Sequence, residues 1–306
     1  MAPINIKMAV DSVRGMERFF CLPDEYASSD GSLFVIQRVP FEGTVSYGTG
    51  TSKGPQAVLR ASAEVELFDD ELEAEPYLDG IMTDEPIEVA DGAEGMAEAL
   101  AKRTKPHIEA GRIPMTLGGE HSITLGEVRA MQESYPDMCV LQIDAHADLR
   151  ESFDGDRYSH ACVMRRILEL GVPAVQVGIR SMAAEEHDVR RQLSTKIYPA
   201  SFVHSTEDWI AQVVSSLGEH VFITIDVDGL DTSIMPATGT PEPGGLTWQQ
   251  VTGLLRRVCA SKDIVGCDIV EFSPIKGMHA YEYTVARLLY KLIGYISEGR
   301  RHGAYR

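Results

Sequence analysis

The sequence predicts an α/β fold: a single domain of three α/β/α layers around a central, mostly parallel sheet. Three observations carry this. Short apolar runs of strand character alternate with segments of helical period, the pattern of parallel strands joined by crossover helices. His and carboxylate residues stand at the ends of several of those runs, where the loops of such a sheet form one crevice. No linker, internal repeat or low-complexity segment divides the 306 residues, a length that α/β proteins often fill as one unit. The expected unit is 1–306, with residues 1–31 an N-terminal extension packed at the surface.

Taken in order, the first 30 residues show no clear period and close in a turn at Ser28-Ser29-Asp30-Gly31. Leu33 to Ile36 is the first buried strand. Residues 43–54, rich in Gly, Ser and Thr, form a loop, and Pro55 stands at the favoured first position of a helix through Ala61. The acidic run from Asp69 to Glu75 reads as a solvated surface segment. A helix runs from Glu94 to about Ala101; Pro106 is expected to break or kink the chain beyond it, because it lacks a donor and crowds the preceding turn. Ile113 to Leu117 is a strand ending in Gly118-Gly119-Glu120-His121-Ser122, followed by a helix to Ser134 and a strand from Cys139 to Ile143.

Beyond these come a polar loop (149–158), Ser159-His160, a helix through Leu170, and a strand from Val175 to Ile179. Thr206 to Leu217 reads as a helix, with Ser205 and Asp208 spaced as a capping box. The strand His220 to Ile225 ends in Asp226-Val227-Asp228, and a Gly/Pro-rich loop follows to Gly245. Thr247 and Gln250 form a second capping box ahead of Val251, Leu254, Leu255 and Val258. The last strand, 263–270, ends at Glu271, and an amphipathic helix from about Tyr281 to Ile296 closes the chain. The strand interiors read as apolar.

Composition narrows the partners. Asp plus Glu number 46 against 28 Lys plus Arg, a formal charge of −18. That disfavours nucleic acid and anionic membrane surfaces and suits a cationic small molecule. The five cysteines are scattered without a CxxC pair, so neither a disulfide framework nor a structural zinc site is expected. With no apolar h-region and no apolar run of about 18 residues, a cytoplasmic protein without a membrane span is expected.

The chemistry centres on Asp144-Ala145-His146-Ala147-Asp148. If extended geometry persists past the strand, its period of two puts Asp144, His146 and Asp148 on one face. Converging carboxylates and an imidazole repel and desolvate one another unless a cation lies between them. The plain alternative is a polar strand end that caps a helix. Asp226 and Asp228 repeat the spacing, and His121 also follows a strand. Six such side chains exceed what one structural zinc takes and suit two divalent ions; four Asp and two His favour Mn2+ over thiolate-type zinc coordination.

His121 within Gly118-Gly119-Glu120-His121, Asp144 to Asp148, and Asp226-Val227-Asp228-Gly229-Leu230-Asp231 resemble the three signatures of the ureohydrolase family (arginase, agmatinase and relatives). Ala237 to Pro241 and Asp268-Ile269-Val270-Glu271 match as well, and the likeness spans roughly Val35 to Leu292. The resemblance implies an arginase-like α/β/α domain, two Mn2+ per subunit, a homotrimer or homohexamer, and hydrolysis of a guanidino compound to urea and an amine. It implies the metal set His121, Asp144, His146, Asp148, Asp226 and Asp228, with His121, Asp144, Asp148 and Asp228 at one ion, His146, Asp144, Asp148 and Asp226 at the other, and Asp228 shared. It implies Glu271 as the guanidinium-binding carboxylate, His160 as a proton relay that also touches substrate, and Asp148 among the catalytic residues. The other histidines stay structural.

Thr44 to Tyr47 and Ser159-His160 look most like agmatinases. Glu151, Asp154 and Asp156 against Arg157 would make an acidic rim for agmatine's second cation, and an Asn-rich carboxylate loop of the arginase kind is missing. Agmatine, giving putrescine and urea, is the expected substrate. Gly48 to Pro55 departs from the family's pattern at two arginines, and Arg157 offers a seat for the carboxylate of a guanidino acid. Other ureohydrolases, a one-zinc deacetylase of similar fold and a non-catalytic metal-binding relative are the alternatives.

Overall fold

The computed structural model describes residues 18–301. Its strands are β1 (Phe34–Val39), β2 (Ile81–Thr83), β3 (Ile113–Gly118), β4 (Cys139–Ile143), β5 (Ala174–Ile179), β6 (Thr195–Pro199), β7 (His220–Asp226) and β8 (Asp263–Val270). They form one sheet in the order β2-β1-β3-β8-β7-β4-β5-β6, and every pairing is parallel. The helices are α1 (Asp24–Ala27), α2 (Gly54–Ser62), α3 (Gly92–Glu109), α4 (Thr124–Gln132), α5 (Val163–Glu169), α6 (Ala184–Val189), α7 (Ala200–Ser205), α8 (Trp209–Ser215), α9 (Trp248–Cys259) and α10 (Ala280–Arg301).

Alternation along each strand sorts the core into two layers. Leu141, Ile143, Ile223, Ile225, Cys267 and Ile269 pack towards α2, α9 and α10, while Val140, Phe222 and Val265 pack towards α3, α4 and α5. Burying strands on both faces is what a wholly parallel sheet requires. The two edge strands escaped the sequence reading: β2 has three residues, and β6 alternates with an exposed Lys196.

Other local expectations were changed by packing. α3 continues through Pro106 to Glu109; the lost donor and ring clash, worth about 3 kcal/mol in a helix interior, are offset by packing against α4 and β3. Asp69 is fully buried rather than solvated, because Lys291 of α10 neutralises it at 2.8 Å. Ser205 caps nothing ahead of it; it ends α7, its hydroxyl donating back to Ser201 O at 2.8 Å. The Thr247–Gln250 capping box is present. Of the N-terminal extension, residues 1–17 lie outside the described residues. Phe19 and Phe20 are not at the surface but fully buried, with Phe20 against Tyr290 at 4.8 Å between ring centroids.

Candidate metal centre

Four adjacent central strands aim their C-terminal ends at one place, and the polar residues just beyond them converge there. His121 opens a single 3-10 turn after β3, Asp144 directly follows β4, Asp226 closes β7, Asp228 lies in the turn 227–229, and Glu271 follows β8. His121 Nδ1 lies 3.2 Å from Asp144 Oδ2, 3.0 Å from Asp148 Oδ2 and 3.5 Å from Asp226 Oδ2. His146 Nδ1 lies 2.9 Å from Asp228 Oδ2 and 3.8 Å from Asp144 Oδ1. All six side chains predicted from the sequence therefore meet.

Their route differs in one respect. Extended backbone does not persist to Asp148, which has φ 53°, nor at Glu271, with φ 63°. Such left-handed conformations at non-glycine residues cost on the order of 1–3 kcal/mol and persist only where surroundings enforce them. Here Asp148 O accepts from Arg165 N–H at 3.1 Å, and Glu271 N–H donates to Gly119 O at 2.8 Å.

The cluster divides into two potential ion seats that share one residue: His121, Asp144 and Asp226 in one, Asp144, His146 and Asp228 in the other. Asp144 serves both groups as the resemblance implies; Asp226 stands with His121 rather than His146, and Asp228, implied as shared, stands with His146. The cause is local. Asp228 N–H donates to Asp226 Oδ1 at 2.9 Å, and Ala145 N–H donates to Asp228 Oδ1 at 3.0 Å, which turns Asp228 towards the His146 loop.

Electrostatics agree with a cation site. Burial, then the charges of Asp228 and Asp148, raises Asp144 to about 7. Burial, Asp228 and Asp144 raise Asp226 too. Burial opposes the charged form of both imidazoles, yet the facing carboxylates outweigh it, lifting His146 to about 11 and His121 well above its ordinary value. Protons thus fill the role that cations would fill. His121 Nδ1 is buried without a hydrogen-bond partner while three carboxylates surround it. An orphaned imidazole lone pair among oxygen donors fits divalent metal, and the oxygen-rich set suits Mn2+.

A cavity of about 290 Å³ opens over the cluster, with His146, Asp148, Asp226, His160 and Glu271 in its walls. Glu271 is 8% exposed, and its Oε1 accepts from His121 N–H at 2.7 Å. Burial raises its carboxyl to about 8. His160 Nδ1 is 3.2 Å from Thr44 Oγ1, which donates to Glu120 Oε1 at 2.7 Å, and His160 Nε2 is 3.4 Å from Ser46 Oγ.

None of the predicted acidic rim residues Glu151, Asp154 and Asp156 lines the cavity, and Glu151 is bound by Arg157 and Arg165 at 2.9 and 2.7 Å, with Arg166 at 3.6 Å. Arg157 also reaches Glu169 at 3.7 Å, so it offers no open carboxylate seat. Instead, Arg150, Phe153, Met182 and Glu186 line the cavity. Arg150 lies over the Phe153 ring at 5.2 Å and 4.0 Å from buried Glu186. The sequence carried no signal for Glu186, which sits in a helix past β5; Glu120, beside His121, could have been suspected from its place in the motif.

The remaining described histidines are engaged elsewhere, His107 by Asp84, His187 by Arg190, His204 by Gly244 O, His220 by Asp137 and His279 by Glu282. His302 lies outside the described residues. Among the described residues no helix is long and apolar enough to cross a membrane.

Fold and site together define a parallel α/β/α protein with paired carboxylate–imidazole metal seats at its strand ends. Residues 32–294 match the arginase family model, and the chain belongs to that family. It is a hydrolase acting on C–N bonds of amidines. Among similar proteins, the N(1)-aminopropylagmatine ureohydrolase of Synechocystis is 40% identical over 87% of this chain and 90% of that protein. Its namesake in Thermus thermophilus is 41% identical over 85% and 89%. The agmatine ureohydrolase structure of Thermoplasma volcanium superposes with a TM-score of 0.84 at 30% identity, covering 94% of this chain and 96% of that one.

Proposed function

We propose that this chain hydrolyses a guanidino-amine to urea and a polyamine, with two Mn2+ ions held by His121, Asp144, Asp148, Asp226, His146 and Asp228. The observation that carries this is the buried Asp144 carboxylate, common to both groups, beside a cavity lined by His146, Asp148, Asp226, Glu271 and His160. Two Mn2+ ions, when bound, supply Lewis acidity and lower the pKa of a shared water. Glu271 receives the planar guanidinium and aims its carbon at the metal seats, a fork-to-carboxylate match that also supplies the charge its buried carboxyl needs. Thr44 commits its one proton to Glu120, so the His160 ring turns Nδ1–H to Thr44 and keeps Nε2 for the cavity. There Nε2 takes up a proton, making the ring an imidazolium, and passes that proton to the departing amine.

Agmatine is one substrate of this class and its N(1)-aminopropyl derivative the second. The names of the relatives at 40 and 41% identity favour the second, and the Thermoplasma agmatine ureohydrolase favours the first. A guanidino acid is disfavoured because Arg150, the cation in the cavity wall, already faces Glu185 at 3.6 Å and Glu186 at 4.0 Å. The test is urea release by Mn2+-loaded protein from agmatine, N(1)-aminopropylagmatine, arginine and 4-guanidinobutyrate. One of the two amines should give the highest kcat/KM; preference for arginine or the acid would overturn the substrate class, and no urea from any would overturn the reading. The functional assembly is proposed to be a homotrimer or homohexamer in the cytoplasm, measurable by light scattering and by fractionation.

A further inference from the structure

A row of polar residues crosses the buried sheet beneath the metal seats. Gln37 of β1, Thr116 of β3, Asp268 of β8, Thr224 of β7, Gln142 of β4 and Gln176 of β5 are successive register partners. Each is 0% exposed. Register partners in a parallel sheet point to the same face, here the face towards α3, α4 and α5. Six buried polar side chains in the middle of a sheet are costly unless their hydrogen bonds are met, so where those bonds lead is informative.

At the β4–β5 end they lead to the metal seats, in one direction only. Thr195 Oγ1–H donates to Gln176 Oε1 at 2.9 Å. Gln176 Nε2–H donates to Ala147 O at 2.8 Å and to Gln142 Oε1. Gln142 Nε2–H donates to Asp144 Oδ2 at 2.6 Å and reaches towards His146 O at 3.4 Å. Neither amide can be turned over: Ala147 O, His146 O and an ionised Asp144 only accept, so the nitrogens must face them. Asp144 Oδ1 accepts from His146 N–H at 2.5 Å. Both oxygens of the shared carboxylate are therefore fixed, Oδ2 towards the His121 seat and Oδ1 towards the His146 seat.

We propose that Gln142, held in turn by Gln176, is a positioning residue that locks the Asp144 carboxylate between the two metal seats. The proposal rests on the two-ion reading above. Without its donor, Asp144 can rotate about its side chain, and the seats lose their common ligand. The same amides hold the carbonyls of His146 and Ala147, and with them the loop that brings Asp148 round in its left-handed conformation. Gln37, at the other end of the row, accepts only from Thr104 and touches no ligand.

The experiment compares Gln142→Met, Gln176→Met and Gln37→Met with the unaltered full chain. Mn2+ per chain is measured against a graded competing chelator, and unfolding of the metal-free protein is followed by denaturant. Q142M should lower Mn2+ affinity by about ten- to a hundredfold, the usual effect of removing a group that orients a ligand. Q176M should lower it less, and Q37M not at all, with the losses out of step with any change in metal-free stability. Wild-type affinity in Q142M, equal losses in Q37M, or losses that simply follow stability would overturn the proposal; if Q142M fails to fold, Q176M against Q37M decides. Failure of the unaltered protein to take up two ions would instead defeat the two-ion reading itself.

Discussion

Removing metal from this centre should leave a protein that becomes less stable as pH rises. In the metal-free fold, His146 titrates near pH 11 and His121 well above its ordinary value, while unfolded histidines are neutral above about pH 7. Both imidazoles therefore carry a proton at pH 7–8 only in the folded state. A raised imidazole pKa contributes stability that is full below the unfolded value and is lost as pH climbs towards the folded one. The proton retained by His146 gives a slope of about 1.4 kcal/mol per pH unit between pH 7 and 8, and His121, Asp226 and Glu271, all raised as well, add to it with the same sign. Asp144, raised to about 7 by burial and by its acidic neighbours, acts with the same sign at lower pH. Mn2+ needs both imidazoles neutral and its carboxylate ligands ionised, so loading should flatten the slope and release protons. The assay is urea denaturation of chelator-treated and Mn2+-loaded protein at pH 7.0, 7.5 and 8.0, with His146→Asn expected to lessen the metal-free slope. Metal-free stability that is flat or rises over that range would refute the account of the cluster.

Other substitutions separate the roles around the centre. Asp226→Asn should weaken Mn2+ retention and urea release together; full retention of both, by metal analysis and assay, contradicts its place in the His121 seat. Glu271→Gln should keep both ions yet lose about a hundredfold in kcat/KM, the scale of a misplaced reacting group, because a neutral amide cannot receive the guanidinium fork. Away from the site, Asp84 is bound by His107 at 3.1 Å and by Arg103 at 2.6 Å; burial opposes its charge, but these partners hold it down to about 2. Its contribution, about 2 kcal/mol, is present above pH 4 and lost as pH falls towards 2. Asp84→Asn should cost about that much at pH 7 in denaturant titrations and leave metal binding unchanged.

That the side chains of the cluster converge was legible in the sequence because parallel strands end on one side. A His or Asp placed just past an apolar run has nowhere to project but the shared crevice, and that held for His121, Asp144, Asp226 and Asp228 alike. The seat each Asp serves was not legible, since it turns on hydrogen bonds such as Ala145 N–H to Asp228, which join residues 83 positions apart. Nor was the fate of the rim charge Glu151, against which α5 brings Arg165 and Arg166 alongside Arg157 of its own loop. The strand interiors were read as apolar, yet Gln142 and Thr224 each stand two residues before an Asp of the cluster, on the same side of the strand. Alternation alone could have marked them. That they line up across six strands depended on register, which two-residue periodicity leaves open and only the packed sheet fixes.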